Sequence, residues 1–399
     1  MRAIVRVQRV LRPWLLGALA ATACAARMPR PTLDLATLDL VESAPVETTL
    51  DHADLPDAYV VWRDMLASAR TSIDLEEFYV VSREGSRLEP ILQALEAAAD
   101  RGVKVRLLAD ASYARKMPDA LARLEARRGI EVRRFDAAAA LGNVQHAKFF
   151  LIDGREAFLG SQNLDWRSLE HIQELGVRIR GAPGIVTALA DVFATDWALA
   201  GGGPAAARVR HDVRFPEGVS FVASPRGWLP DERLWDLPRL QGLIDGARHQ
   251  VRVQLLTYGA GEGFDTLDQA LRRAAARGVS VELMVSDWSL RPGLVESLTS
   301  LAAVPGITVR AVTIPEHSSG FLPYARVVHA KYLAVDGARA WIGTSNWERS
   351  YFYNDRNVGL IVDDAALAGH LDRFFEDVWT SRYALRIDPA GSYAAPRVE

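Results

Sequence analysis

HAKFFLID, at residues 146–153, recurs as HAKYLAVD at residues 329–336. Each copy is followed by a short turn and then by a second motif, GSQN at residues 160–163 and GTSN at residues 343–346. His329 lies 183 residues after His146. The same separation holds between the two copies of the lysine, the aspartate, the glycine and the asparagine. A spacing kept at so many positions indicates that one structural unit is present twice in this chain.

The sequence around each copy also repeats one order of predicted elements. A strand-like stretch is followed by a helix-like stretch, then by an Arg-Gly pair that leads into a second strand-like stretch. These stretches span residues 72–79, 91–99 and 101–108 in the first half, and residues 251–258, 267–276 and 277–284 in the second. Strand, helix and strand in this order form a βαβ crossover. The sequence therefore predicts an α/β fold with a mixed or parallel sheet in each of two similar halves.

The two predicted halves fill most of the chain. Residues 46–200 form the first and residues 226–390 form the second. Between them, residues 201–225 begin with GGGPAAA, which is typical of a linker. Residues 25–45 show no clear hydrophobic period, so we predict that they form a tether.

Composition excludes several classes of protein. Of the 399 residues, 49% are hydrophobic and 24% are charged, as in folded soluble proteins with one large core or two smaller ones. The 47 basic and 50 acidic residues leave a formal net charge of −3, which is too weak for indiscriminate binding of nucleic acid or anionic lipid. The single cysteine excludes intramolecular disulfides and zinc sites built from several cysteines.

The first 24 residues have the composition of a secretory signal. Four arginines precede an apolar run at residues 14–23 that is too short to span a bilayer. The sequence ATAC at residues 21–24 fits an A-x-A cleavage site and also resembles the bacterial lipobox, although Ala21 stands where leucine is usual. In one interpretation Cys24 becomes a lipidated N-terminus that anchors the protein to an envelope membrane, and in the other the signal is simply cleaved. Both predict export to the cell envelope.

The histidine and lysine of each repeat are suited to phosphodiester chemistry. His146 and Lys148, like His329 and Lys331, are two residues apart, so in an extended strand they lie on one face and can reach one anion. One imidazole can attack phosphorus while the other protonates the leaving oxygen. The lysines supply positive charge to the phosphate oxygens. The further donors predicted to bind phosphate are Ser161, Asn163, Ser345 and Asn346.

Asp153 and Asp336 complete the two candidate catalytic sets. We expect them to fix the turn and to support the lysine and histidine rather than to touch substrate. The sequence contains no H-E-x-x-H motif and no cluster of acidic residues and histidines at ligand spacing. It therefore predicts neither a metal nor another cofactor.

The paired H-x-K-x-x-x-x-D motifs, each followed by a motif of the G-S-x-N type, resemble those of the phospholipase D superfamily. The resemblance implies a duplicated phospholipase D fold, with two α/β sandwich halves related by a pseudo-twofold axis around one active site. It also implies a metal-independent ping-pong reaction through a phosphohistidine.

A closer resemblance runs from about residue 45 to about residue 385. GSQNLDWRS at residues 160–168 and PYARV at residues 323–327 are similar to the endolysosomal phospholipase D branch, phospholipases D three and four. Members of that branch are 5′-exonucleases on single-stranded nucleic acid and are also implicated in lipid phosphodiester exchange. They rely on disulfides that this chain cannot form. The resemblance is therefore a better guide to the reaction centre of this protein than to its substrate.

Glu174 lies a little beyond the first GSQN motif, where superfamily members often carry a carboxylate that orients an active-site histidine. The equivalent stretch of the second half offers the neutral Asn357. A carboxylate partner raises the pKa of an imidazole and keeps its proton. On this asymmetry we assign His146, in the same half as Glu174, as the proton donor and His329 as the nucleophile, as the closer branch also implies. The alternative is that Glu174 is an ordinary surface charge.

The leading hypothesis for function is a phosphodiesterase of the phospholipase D type, acting as a monomer because both motifs lie in one chain. A membrane-tethered enzyme outside the cytoplasm meets phospholipid head groups, so the first expectation is phospholipid hydrolysis or transphosphatidylation, including cardiolipin-type exchange. The closer resemblance supports an alternative, a 5′-exonuclease on single-stranded DNA or RNA. A third hypothesis is a non-catalytic binding protein of the envelope.

Overall fold

A computed structural model describes residues 38–203, 208–261 and 263–399 of the protein. The predicted secretory signal and Cys24 lie outside the described residues, so both interpretations of the N-terminus stay predictions. No helix within these ranges is long and apolar enough to cross a bilayer.

The first half is built on a seven-stranded mixed sheet. In the described residues its strands are β1 (Leu38–Ser43), β2 (Ser72–Glu77), β4 (Lys104–Asp110), β5 (Ile130–Phe135), β6 (Phe149–Ile152), β7 (Glu156–Gly160) and β9 (Glu174–Arg180). A separate parallel pair is formed by β3 (Val80–Val81) and β8 (Leu164–Asp165). The order in the sheet is β1-β9-β7-β6-β2-β4-β5, with β2, β4 and β5 parallel to each other and the other neighbours antiparallel.

The second half repeats this sheet and adds one strand. Its strands are β10 (Val219–Ser224), β11 (Gln250–Leu255), β12 (Ser280–Ser286), β13 (Ile307–Val312), β14 (Tyr332–Val335), β15 (Arg339–Gly343), β16 (Asn357–Asp363) and β17 (Ala384–Arg386). Their order is β10-β16-β15-β14-β11-β12-β13-β17, and the parallel pairs are again the two that join β11, β12 and β13. The matching orders confirm the predicted duplicated α/β fold.

Helices flank both sheets. In the first half they are α1 (Ala58–Ser68), α2 (Leu88–Asp100), α3 (Ala111–Lys116), α4 (Asp119–Glu125), α5 (Ala137–Ala140) and α6 (Pro183–Ala200). In the second half they are α7 (Asp236–Asp245), α8 (Thr266–Ala276), α9 (Val295–Ala302), α10 (Arg349–Tyr353) and α11 (Ala365–Trp379).

The crossover helix α2 shows how the sequence determines where a helix forms and where it ends. Its buried residues Leu88, Ile91, Leu92 and Leu95 recur at helical spacing, which gives the helix one apolar face for the sheet. The chain then leaves the helix through Gly102, whose φ of 89° lies in the left-handed region that glycine adopts without strain. α8 ends in the same way before Gly278, with a φ of 87°.

The central strand of each repeated motif separates two layers of core. All four residues of β6 are buried. Phe149 and Leu151 pack into a core shared by both sheets together with α6 and α11, whereas Phe150 and Ile152 pack on the opposite face with α1 and α2. Because one core contains residues of both halves, the two repeats form one folded unit rather than two independent domains.

Two predicted boundaries are wrong. Residues 38–43, assigned to the tether, form β1, which pairs antiparallel with β9 at the edge of the first sheet. Residues 219–224, assigned to the linker, form β10, which pairs antiparallel with β16 in the second sheet. Both are edge strands that lie far along the chain from their partners, so no local repeat pattern marks them.

A buried ion pair joins the two halves. Arg356 Nε and one terminal nitrogen donate to the two carboxylate oxygens of Asp196, at 2.5 and 2.7 Å. The other terminal nitrogen of Arg356 donates to the carbonyl oxygen of Ser224 at 2.9 Å. Both charged side chains are fully buried. Such a pair fixes geometry strongly, since removing one member leaves the other charge buried and uncompensated.

Replacing Asp196 with alanine should therefore lower the free energy of unfolding by about 3–5 kcal/mol. Urea denaturation followed by circular dichroism measures this loss. Glu125→Ala is the matched control, because Glu125 pairs with Arg134 at the surface and its loss should cost less than about 1 kcal/mol. Similar losses for the two variants would contradict the importance of the buried pair.

Candidate active site

Two crossed backbone bridges bring the repeated motifs together. The His146 amide donates to the carbonyl of Arg356 at 3.0 Å, and the Arg356 amide donates to the carbonyl of Val144 at 3.0 Å. In the other direction, the His329 amide donates to the carbonyl of Gln173 at 2.8 Å, and the Gln173 amide donates to the carbonyl of Val327 at 3.0 Å. Each histidine is thus held by backbone of the opposite half.

The side chains next to these bridges hold the two imidazoles. Nδ1 of His329 lies 2.7 Å from Glu174 Oε2, and Nδ1 of His146 lies 3.0 Å from Asn357 Oδ1. Glu174 therefore contacts the histidine of the other half, contrary to the expectation that it serves His146. Glu174 is buried, so it is not a surface charge. In both histidines Nδ1 is engaged, which leaves Nε2 for chemistry.

Hydroxyl groups support the two orienting residues. Ser168 Oγ donates to Glu174 Oε1 at 2.9 Å, and Thr344 Oγ1 donates to Asn357 Oδ1 at 2.9 Å. Ser161, predicted to bind phosphate, hydrogen-bonds Glu174 and accepts from the Leu175 amide at 3.1 Å. It is fully buried behind the histidine pair.

The prediction for Ser345 is also corrected by its position. Ser345 is buried, and its Oγ faces Asp236 Oδ2 at 3.4 Å rather than the cleft. The residue that corresponds to Ser161 by the repeat spacing is Thr344, which supports Asn357. The repeated hydroxyls therefore position the groups that hold the histidines and do not bind phosphate directly.

Both lysines are buried beside the histidines. Lys148 Nζ donates to the carbonyl of His146, and Lys331 Nζ donates to the carbonyl of His329, each at 2.5 Å. Burial lowers the pKa of Lys148 to about 7, although Glu77 and Glu174 oppose this effect. Burial also lowers the pKa of Lys331 well below its usual range. An arriving phosphate anion would favour the charged form of both.

Burial also governs the titration of the histidines and their carboxylate. It lowers the pKa of His146 and of His329 well below the usual range, and the two lysines lower these pKa values further. Burial raises the pKa of Glu174 to about 7, against the attraction of Lys331. The free site therefore favours neutral imidazoles, one of which can act as a nucleophile without losing a proton first.

The aspartates of the two motifs lie away from the histidines, at the far ends of β6 and β14. Asp153 accepts hydrogen bonds from the amides of Arg70, Thr71 and Ser72. Asp336 accepts from the amides of Arg248, His249 and Gln250 in the same way. Both have positive φ, at 54° and 56°. They fix a turn, as expected, but they do not contact the lysines or histidines and are not catalytic residues.

A cleft of about 860 Å³ opens onto the two histidines. Asn163 and Asn346 also line it, as predicted for phosphate-binding donors. Asn346 is held by local contacts, because its Oδ1 accepts from the Leu256 amide at 3.2 Å and its Nδ2 donates to Tyr351 Oη at 3.0 Å. The Oδ1 atom of Asn163 is buried and has no hydrogen-bond partner within the described residues.

Aromatic and charged side chains form the walls of the cleft. The aromatic residues are Phe78, Tyr79, Tyr113, Trp166, Trp288, Tyr324 and Tyr351. The cations are Lys116, Arg291 and Arg167, of which Arg167 is paired with the buried Asp165, and the carboxylates are Glu348, Asp355 and Glu399. Lys116 Nζ lies 4.8 Å from the centre of the Tyr113 ring, and the Arg167 guanidinium lies 5.7 Å from that of Tyr324. Rings with adjacent cations provide stacking surfaces and charge for an anionic ligand.

Sequence reasoning missed three residues that touch the catalytic groups. The Phe78 ring lies 5.0 Å from the His146 ring and 5.0 Å from Lys148 Nζ, and the Tyr351 ring meets His146 edge-on at 5.1 Å. Glu77 is buried next to Lys148. The one available signal is the pair of adjacent acidic residues, Glu76 and Glu77, at the end of β2. Within the described ranges, no group of three or more His, Cys, Asp or Glu side chains could hold a metal ion.

Two similar halves that each bring a histidine to one cleft, with a lysine buried beside it, define a phosphodiesterase of the phospholipase D type. The family model described as "Cardiolipin synthase, PLD-like domain" matches residues 62–197 and 240–379. The chain therefore belongs to the phospholipase D superfamily.

Individual relatives agree with this assignment. The chain is 31% identical over 408 residues to rat "5'-3' exonuclease PLD3", covering 90% of this chain and 82% of that protein. It is 27% identical over 388 residues to "Phospholipase D Z" of Dictyostelium discoideum, covering 88% and 91%. Among solved structures, the phosphatidylserine synthase of Haemophilus influenzae has the same fold, with a TM-score of 0.66, 11% identity and coverage of 90% and 89%.

Proposed function

We propose that the protein cleaves phosphodiester bonds through a phosphohistidine on His329, with His146 as the proton donor and no metal ion. The contact between Glu174 and His329 carries this proposal. With Nδ1–H held by the carboxylate, the Nε2 lone pair of His329 points away from Glu174 and is available to phosphorus. The carboxylate then stabilises the positive charge that the ring acquires when the P–N bond forms.

The assignment of roles agrees with the sequence-based expectation, but for a different reason. That expectation had Glu174 raise the pKa of His146, whereas Glu174 contacts His329 and the partner of His146 is the neutral Asn357. A neutral partner leaves His146 free to give up its proton.

The proposed reaction has two steps. The bound phosphodiester anion favours the protonated form of His146, which then carries a proton on both ring nitrogens. His329 Nε2 attacks phosphorus as the bond from phosphorus to the leaving oxygen breaks, and His146 gives its Nε2 proton to that oxygen and becomes neutral. An incoming water or alcohol then loses its proton to His146 and attacks phosphorus, and the P–N bond breaks. Lys148 and Lys331 balance the charge on the non-bridging oxygens in both steps.

A change of leaving group should separate the two histidines. His146→Ala should lower kcat/KM for a phosphodiester that carries a methyl leaving group by about 100-fold or more, because methoxide needs a proton to leave. It should affect the corresponding phosphodiester with a p-nitrophenyl leaving group much less, since p-nitrophenolate leaves unprotonated. His329→Ala should abolish turnover of both esters. Equal losses on the two esters for His146→Ala would contradict the assigned roles.

For the substrate, we propose the end of a single-stranded nucleic acid, placing it ahead of the phospholipid that was the first expectation from sequence. The support is the wall of the cleft, which carries several aromatic rings together with the cations Lys116 and Arg291. Stacking on rings and contact of cations with the backbone are how single strands are bound without sequence preference. Because the chain carries a net charge of −3, contacts to the phosphate backbone would come from these few cations and not from the charge of the whole protein.

A phospholipid remains a second candidate because part of the cleft is apolar. Ile172, Leu256 and Val327 form a small buried cluster with Trp288 beside the histidines, and all four line the cleft. The names of the Dictyostelium relative and of the matching family also refer to lipid chemistry. Export, the lipid anchor at Cys24 and a monomeric state are further parts of this proposal.

Two substrates presented in EDTA should distinguish these candidates. We expect the purified protein to degrade a single-stranded oligonucleotide with a free 5′ end faster than fluorescent phosphatidylglycerol or phosphatidylcholine in vesicles, and His329→Ala to degrade neither. Lys116→Gln should weaken the oligonucleotide reaction and its salt dependence while sparing lipid turnover. Faster lipid turnover would favour the phospholipid. Loss of all activity in EDTA would exclude the metal-independent mechanism.

A further inference from the structure

The two catalytic lysines have different neighbours across the sheet. In the first half, β2 pairs antiparallel with β6, and the last pair of the register is Glu76 opposite Phe149. Continuing this register by one residue sets Glu77 opposite Lys148. In an antiparallel pair, opposed side chains lie on the same face with Cβ atoms about 4.5–5.5 Å apart. The geometry of the sheet therefore places a carboxylate beside this lysine.

The second half offers no such carboxylate. There β11 pairs with β14, and the last pair is Gln254 opposite Tyr332. One residue further, the neighbour of Lys331 is Leu255, which is apolar and buried. The carboxylate near Lys331 is Glu174, which already holds His329. The two halves thus differ at this position next to the reaction centre, with Glu77 in the first and Leu255 in the second.

Glu77 has few other interactions. Its side chain is fully buried, the Leu164 amide donates to it, and its Oε2 atom has no hydrogen-bond partner among the described residues. Its neighbour Glu76 points to the opposite face of the strand, toward Arg356 and Asp196. An unpartnered buried carboxylate is costly unless a charge compensates it. Lys148 is the cation that does so.

We propose that Glu77 is a positioning residue that shares one proton with Lys148, so that this proton stays in the site and Lys148 is charged whenever a phosphodiester binds. Glu174 is then left to serve His329 and Lys331. This inference rests on the proposed phosphodiesterase function and adds a residue that neither repeated motif contains. The other ionisable groups facing Lys148 are Glu174, Asp355, Lys331, His146 and His329.

Removal of Glu77 should change how binding depends on pH. In Glu77→Gln, Lys148 has lost its proton-sharing partner and is neutral at a lower pH, so an anion binds only with uptake of a proton from solvent. Dimethyl phosphate is a suitable probe because it remains a monoanion throughout the neutral range. We expect the variant to bind dimethyl phosphate more weakly than wild type at pH 8. The loss in affinity should be about tenfold for each unit by which the pKa of Lys148 in the variant lies below pH 8. At pH 5 it should bind at least as tightly.

An NMR titration of the full chain with dimethyl phosphate at both pH values measures these affinities without requiring turnover. Glu77→Asp should restore most of the affinity at pH 8, and in a Lys148→Met background the Glu77→Gln change should have no further effect. Glu76→Gln is the matched control, because its side chain lies on the other face and should leave the pH dependence unaltered.

Two outcomes would overturn the inference: equal weakening at pH 5 and pH 8, which is what a merely structural role gives, or no weakening at either pH. Failure of the wild-type protein to bind dimethyl phosphate at any pH would instead contradict the proposed function itself, so the two failures can be told apart.

Discussion

The hydrogen bond between Glu174 and His329 joins the two halves of the protein at the reaction centre. It forms because residues 173–174 of the first half run beside residues 327–329 of the second. The corresponding backbone bridge in the other direction places Arg356 and Asn357 beside His146. For each histidine, the partner of Nδ1 comes from the opposite half. The site therefore exists only when both halves are folded together, and the shared core and the buried pair of Arg356 with Asp196 secure that arrangement.

Within this nearly symmetric frame, function depends on the positions where symmetry fails. Glu174 corresponds to Asn357, so one imidazole has a charged partner and the other a neutral one. Glu77 corresponds to Leu255, so one lysine has a carboxylate of its own and the other does not. A displacement reaction needs two unlike histidines, one to attack and one to donate a proton. A duplicated unit supplies two copies of each group, and these substitutions give the copies different chemistry.

The sequence predicts those parts of the structure that repeat. The equal spacing of the histidines, lysines and asparagines predicts the duplication, and the helix between two strands predicts the crossover in each half. The edge strands β1 and β10 escape this reasoning because their pairing partners are distant in the chain. The sequence also does not predict that Glu174 contacts His329 of the other half, because a repeat shows which residues are equivalent but not which copies are in contact. For the same reason the sequence assigns Ser161 and Ser345 to phosphate, because their burial becomes visible only in the folded structure.

The central claim is that the crossed contact with Glu174 makes His329 the nucleophile. Rapid acid-free quenching of the protein during turnover of a ³²P-labelled phosphodiester, followed by peptide mapping, tests it most directly. The account predicts a base-stable, acid-labile label on the peptide that contains His329, and its loss in His329→Ala. A label on the peptide that contains His146 would contradict the account.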